Sequence, residues 1–528
     1  MATNIINYSS FDFATIKADL RNKLATDAIF SDYDFAGSNI NEIIELSSGL
    51  GDFLNYYINV TANESFIGTA DIYENINRLV ELVGYNPNGV QSSQVTVNVS
   101  ATFISNEDDD YFTIPNTITL TSASTTSNGQ TILFSPVSSL TFVAISGINT
   151  FSVDLPLVQG QRISTVNFTG DGTSFQRYEI PDPNAIEQYV QVLVGGNNGT
   201  NAVEWDYVEN IYATNQTNVF STRYDENQLV QIQFGNSSFG GVPPVGANIN
   251  ISYITSLGLS GAIGSNQLIS FDSNIYLIDA QTGLPYTNPI TFVVTQNDAS
   301  VGQAAPLTVD EIRNYAPRYY RAQNRLVTQQ DHQDLILTGL PAYVQQVVAI
   351  NQDDYDALVV DLSGTPGFNI TNFPYYGAGS YNTIYMYILP VYGYTVNNTL
   401  KTTILNYISQ YQLLTLNYII LDIDYVNVYL NITYEMTATT TNTITEIQNN
   451  INTAIRNYFS KNNFTLGDEL KYSDLITQLA QSDTGIDSLT LAISSDITSG
   501  WQYQNIDFNS IQFPIIPTNS TIITLVTG

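Results

Sequence analysis

His332 is the only histidine in the 528-residue chain, so any Ser-His-Asp hydrolase would need it as the base. Its nearest acids are Asp331 and Asp334, on a segment that reads as helix. A carboxylate at i−1 on a helix points away from the ring and cannot orient it. No Gly-x-Ser-x-Gly elbow accompanies these residues. The pattern predicts a solvated histidine on a helix surface. There is no cysteine, which excludes a thiol nucleophile, a disulfide framework and a zinc knuckle. The acidic run Glu107–Asp110 lacks the alternating ligands and central glycine of a calcium loop and predicts a charged hairpin turn, with a weak adventitious cation site as the alternative. No phosphate-binding glycine loop is present. Forty-eight acids supply carboxylate pairs everywhere, so none is singled out for glycoside hydrolysis. The expectation is no catalytic residue, no metal site and no cofactor.

Tyrosine is more informative, with 36 copies against two tryptophans. Its ring gives apolar contact area and its hydroxyl tolerates water, which suits large, partly wet subunit interfaces. The segment Tyr375-Tyr376-Gly377-Ala378-Gly379-Ser380-Tyr381 reads as such a contact loop. The β propensity of tyrosine on surface strands fits equally well.

Three regions carry these residues. Residues 10 to 84 show helical spacing. Ser10 can cap a first helix running to about Ala25. Ser38 can cap a second, with Ile40, Ile43, Ile44, Leu50, Phe53, Leu54, Tyr57 and Ile58 at steps of three and four. A third carries Ile72, Tyr73, Ile76, Leu79, Val80 and Val83, closed by Gly84. Packing inside the subunit and bundling with another chain's helices both satisfy this periodicity. From Ser92 to Gln303 the period becomes two, as in Val95, Val97, Val99, Ala101 and Phe103. Frequent Gly/Asn/Asp turns indicate sandwich- or barrel-like β modules. From Thr308 the pattern is mixed. Thr308 to Glu311 and Thr443 to Glu446 are capping boxes, and Thr328 to Asp331 opens another helix. Pro317 is expected to end the first of these helices. Strands are expected at 344–350, 383–391, 425–438 and 489–494.

The fold class expected is α+β and multi-domain. It divides into a helical segment at 1–91, a β-rich middle at 92–305, a mixed α/β domain at 306–505 and an extended arm at 506–528. Net charge is −33, yet only 12% of residues are charged while 43% are hydrophobic, so a folded chain is expected rather than a disordered acidic one. Fifteen scattered basic residues make no stripe for nucleic acid or anionic lipid. No apolar run of membrane-spanning length occurs, and the start Met1-Ala2-Thr3-Asn4 lacks an export signal pattern. The expectation is an assembly component rather than an enzyme, with no nucleic acid and no membrane among its partners.

Three blocks of residues, in order along most of the chain, resemble one family. The first runs Phe30-Ser31-Asp32-Tyr33-Asp34-Phe35-Ala36-Gly37-Ser38, through Tyr56-Tyr57 and Ala62-Asn63-Glu64-Ser65-Phe66-Ile67-Gly68-Thr69-Ala70, to Val83-Gly84-Tyr85-Asn86-Pro87. The second comprises Trp205-Asp206-Tyr207-Val208, Val230-Gln231-Ile232-Gln233-Phe234-Gly235-Asn236, Gly240-Gly241-Val242-Pro243-Pro244-Val245-Gly246 and Tyr253-Ile254-Thr255-Ser256-Leu257-Gly258. The third contains Ala316-Pro317, Asn324-Arg325-Leu326-Val327-Thr328, Asp331 and Leu335-Ile336. Together they resemble the baseplate wedge proteins of contractile-tailed, T-even-like phages, including the baseplate J-like proteins. The family usually has Phe-Gly-Asp-Gly where this chain has Phe234-Gly235-Asn236-Ser237. Gly261-Ala262-Ile263-Gly264 also departs from its Gly-Asn turn.

The resemblance implies structural work. Two copies would join a longer second wedge protein in a heterotrimer, with helices bundled at a trifurcation. C-terminal domains would join neighbouring wedges into a ring that relays receptor binding to sheath contraction, alongside other wedge and hub proteins. The implied place is the tail baseplate of a virion, assembled in the host cytoplasm. The contact residues implied are Ile40, Ile44, Leu54, Tyr57, Ile72, Ile76 and Leu79. Two other readings remain open: a secreted β-rich adhesin or surface-layer protein, and a tail-associated polysaccharide hydrolase.

Overall fold

The computed structural model describes residues 11–26, 35, 37–105, 110–144, 147–195, 202–271, 278–279, 292–363, 369–495, 500–517 and 521–525. The chain forms two compact units, Met1–Tyr320 and Arg321–Gly528.

The first unit opens with helices α1 (Phe13–Ala25), α2 (Asn39–Asn63) and α3 (Tyr73–Glu81). The cap of α1 is Asp12, whose carboxylate accepts the Thr15 N–H at 2.7 Å. The expected cap, Ser10, lies outside the described residues. Ser38 caps α2 through the Asn41 N–H, as its position predicts. Gly84 closes α3 at φ +81, a conformation open to glycine, and Tyr85 N–H returns to the Val80 carbonyl.

Strands then follow: β1 (Gln94–Ser105), β2 (Asp110–Ile114), β3 (Leu120–Thr125), β4 (Thr131–Pro136), β5 (Leu140–Ala144), β6 (Gly147–Gln159), β7 (Gln161–Thr169) and β8 (Arg177–Glu179). After them come β9 (Ala185–Gly195), β10 (Val203–Tyr207), β11 (Val219–Tyr224), β12 (Val230–Gln233), β13 (Asn248–Thr255), β14 (Ile278–Asp279) and β15 (Phe292–Thr295). They build sheets of order β15-β1-β6-β4-β3, β7-β13-β9-β10-β11-β12-β8 and β14-β2-β5. All described pairings are antiparallel except β10 with β11. The alternation in β1 is realised: Val95, Val97 and Val99 are fully buried and pack with Ile114, Leu120, Phe134, Leu155 and Leu157. Residues 106–109 of the acidic run lie outside the described residues. The strands on either side of it do not pair with each other: β1 joins β6 and β15, and β2 joins β5 and β14. Among the described residues each of these strands finds its partners farther along the chain.

Helix α4 (Val309–Ala322) begins with the expected box, Thr308 Oγ1 accepting from Glu311 N–H and Glu311 accepting from Thr308 N–H. It passes through Pro317 rather than ending there. The proline removes one N–H, but it sits on an exposed face where water can meet the carbonyl it leaves unpaired. Gln323 and Asn324, both at positive φ, stop the helix instead.

The second unit contains α5 (Gln329–Gly339), β16 (Val344–Ile350), α6 (Gln352–Leu362), β17 (Thr383–Pro390), α7 (Asn398–Ile408), β18 (Asn417–Asp422), β19 (Asp424–Asn427) and β20 (Tyr429–Met436). It continues with α8 (Ile444–Tyr458), α9 (Tyr472–Ala480), β21 (Ile486–Ser494), β22 (Gln512–Ile515) and β23 (Thr521–Leu525). Its sheets are β16-β17-β18, β19-β22 and β21-β20-β23. The segment expected as an extended arm supplies β22 and β23, which pair in parallel with β19 and β20. One core unites Tyr385, Leu430, Ile432, Tyr434, Ile447, Ile451, Leu475, Leu479, Leu491 and Phe513.

Candidate functional site

The N-terminal helices hold the residues expected at a contact. Helices α1 and α2 lie antiparallel. The Phe11 carbonyl accepts from Asn55 Nδ2 at 2.6 Å, Lys17 pairs with Glu45 at 2.6 Å, and Arg21 donates to Asn41 Oδ1 at 2.7 Å. These contacts mark the flank of α2 that faces α1, and Asn41, Ile44 and Ser48 are buried along it.

The turn from α2 to α3 is pinned twice. Glu64 accepts from the backbone of Asp71 and Ile72 and from Asn75 Nδ2. Arg313, on α4, donates to the carbonyls of Ile67 and Ala70 and pairs with Asp71 at 3.1 Å. The Ala62–Ala70 part of the first sequence block is this turn.

The far flank of α2 is different. Ile43, Leu46, Leu50, Phe53 and Tyr57 recur at steps of three, four, three and four, and all are exposed, Leu46 at 73%. That is the a/d repeat of a coiled-coil seam, carried over more than two heptads. Of the residues flanking it, Ser47, Gly49, Leu54, Tyr56 and Thr61 are uncharged, while Glu42 before Ile43 and Asp52 beside Phe53 are exposed acids. Phe53 and Tyr57 meet edge to face at 4.8 Å. A soluble helix seldom leaves so long an apolar stripe open to water.

Of the seven residues expected at a contact, Leu54, Tyr57 and Ile72 are exposed. Ile40 and Leu79 are half-buried. Ile44 and Ile76 are buried within this chain. The structure does not gather all seven on one face. The seam residues Ile43, Leu46, Leu50 and Phe53 were absent from that set, although their strict heptad spacing was readable.

His332 is not on a surface as expected; it is 2% exposed. Its Nδ1 donates to the Thr328 carbonyl at 2.7 Å, which leaves Nε2 to accept from the Tyr418 hydroxyl at 3.3 Å. The neighbouring Asp331 is occupied as the N3 acid of the α5 capping box. Asp334 is buried against Arg321 and Gln330. Another enclosed acid, Glu187 on β9, accepts from Asn86 Nδ2 at 3.1 Å and from Thr222 Oγ1. Burial raises its pKa against the pull of these donors and of Tyr224. Among the described residues no group of three or more His, Cys, Asp or Glu side chains could hold a metal ion, and no helix is long and apolar enough to cross a membrane.

No family model matches the sequence. The chain is 24% identical over 355 residues to the baseplate wedge protein gp6 of Enterobacteria phage T4, covering 63% of this chain. It spans about half the length of that relative, 51%. Among solved structures, a chain of the anti-feeding prophage baseplate is 13% identical, with 99% of this chain and 100% of that chain covered at a TM-score of 0.31. A chain of the type VI secretion TssK-TssF-TssG baseplate subcomplex is 9% identical, covering 72% and 96% at 0.32. At such scores the two structural likenesses carry no weight. In sequence, the chain is similar to a phage baseplate wedge protein, the family its residue blocks resemble.

Proposed function

We propose that this chain is a structural subunit of a contractile-tail baseplate wedge, and that the open seam of α2 is where it bundles with helices of other subunits. The seam carries the reading. Burying a large apolar side chain is worth about 1.5–3 kcal/mol, so five of them amount to on the order of 10 kcal/mol before association costs. That is enough to hold a helical bundle and too much to leave in water. In this reading two copies join a longer wedge protein, and second-unit domains link neighbouring wedges around the ring. The assembly acts by repacking interfaces when a receptor is engaged, and it turns over no substrate.

The test is to place Leu50→Asp and Phe53→Asp in the full chain and follow association by sedimentation. Both positions are solvent-exposed in the lone subunit, so the variants should stay folded by circular dichroism while the oligomer, and the stability that association adds, are lost. Unchanged association of both variants would remove α2 from the interface. Antibody labelling of particles by electron microscopy tests the location separately: label at the distal end of contractile tails supports it, and label on cell surfaces favours an adhesin.

A further inference from the structure

Gln352, the first residue of α6, is 1% exposed, and its amide is fully used. Nε2 donates to Asp356 Oδ1 and to the Tyr375 carbonyl, each at 2.9 Å. Oε1 accepts from the Tyr385 hydroxyl at 2.8 Å and the Ser380 N–H at 3.3 Å. Asp356 Oδ1 also accepts from Gly377 N–H at 2.9 Å. The loop entering β17 is therefore tied down at residues 375, 377 and 380. Gly377 and Gly379, at φ +68 and +64, let it turn between these ties.

Tyr375 points inward, its ring 5.3 Å from that of Tyr385. Its neighbours do not: Tyr376 is 46% exposed, Tyr381 74% and Ile370 47%. Residues 369–382 contain Tyr, Gly, Asn, Ser and Thr but no charged side chain. Tyrosines held on a pinned, Gly/Ser/Asn-rich loop lose little entropy on binding, which is the chemistry of antibody contact loops. Along the chain on both sides of it the acids carry no matching bases. Asp353, Asp354 and Asp361 are exposed on α6, and no Lys or Arg occurs between Arg325 and Lys401.

We propose that this loop is a preformed recognition surface for a protein partner that presents apolar residues rimmed by Lys and Arg. A second copy docking by the same face would bring Asp353, Asp354 and Asp361 against their own equivalents and be repelled. Nucleic acid and anionic lipid are repelled for the same reason. The site lies within the second unit and is independent of the α2 seam.

A random twelve-residue peptide library panned against the full chain tests this. The enriched peptides should combine Lys or Arg with aliphatic or aromatic residues. Tyr381→Ser with Tyr376→Ser, both surface changes that should leave the melt unmoved, should weaken the selected peptides about tenfold or more. Asp353→Asn with Asp354→Asn should flatten the salt dependence of their binding. Enrichment of neutral or acidic peptides, or peptides that bind the Tyr variants as well as wild type, would overturn the proposal. So would self-association that Tyr381→Ser abolishes, because a second copy would then be the occupant.

Discussion

At the scale of single residues, the difference between this chain and the Phe-Gly-Asp-Gly of the family it resembles has a physical reading. Asn236 keeps the acceptor that an aspartate would supply, with Oδ1 taking the N–H groups of Ser238 and Phe239 at 3.0 and 2.9 Å. Ser237 stands at φ +73, where a glycine would be unstrained. Ser237→Gly should therefore raise the stability of the first unit by about 0.5–1 kcal/mol, read from denaturant midpoints. His332 makes a second prediction. Burial pushes its pKa below the ordinary 6.5, against the opposing pull of the Thr328 carbonyl and Asp331. Tyr418, pushed up to about 12, remains a donor to Nε2. The unfolded chain then binds a proton that the folded chain refuses, so stability is complete above the ordinary histidine pKa and falls as pH drops below it. Denaturant midpoints of the second unit should decline on going from neutral to mildly acid solution, and His332→Gln should blunt that decline.

At the scale of elements, the Arg321–Asp334 pair fastens the last turn of α4 to α5. Asp334 is 1% exposed and accepts Nε of Arg321 at 2.8 Å. Arg321→Ala leaves that carboxylate with Gln330 alone. It should cost about 2 kcal/mol, discounted because the arginine itself is half in water. Thermal unfolding of the second unit would show it. Four of the legible helices carry side-chain signals at their starts: Ser38, Thr308, Thr328 and Thr443 all cap as their spacing predicts. Helix α3, with no side-chain cap, was legible from its apolar spacing and Gly84. Helices α6, α7 and α9 were not legible. They are only 11, 11 and 9 residues long, the first two are capped by single asparagines, and α9 has no side-chain cap at all. The burial of His332 was invisible because its partner Tyr418 lies 86 residues away. For α2 the sequence shows an apolar helix, but only the placement of α1 reveals which flank is already covered. That is why the expected contact set mixed buried Ile44 with exposed Leu54.

At the scale of the whole molecule, net charge dominates. Copies each carrying −33 repel one another, and α2, with Glu42 and Asp52 beside its seam and no Lys or Arg, provides no ion pairs between copies to offset this. Association of the chain with itself should strengthen as salt rises toward a few tenths molar, where the Debye length shrinks below about 8 Å. Sedimentation across a salt series would check this, and weakening with salt would contradict it.

The topology of the second unit also sets an order in time. Strand β20 takes its two neighbours from residues 486–494 and 521–525, so it leaves the ribosome long before either exists. Until they arrive, Leu430, Ile432 and Tyr434 sit on a strand with both edges bare, a form open to chaperones and proteases. Only a chain carrying residues 521–525 covers the second edge. Translation products that stop short of residue 521 keep that margin bare and stay open to disposal.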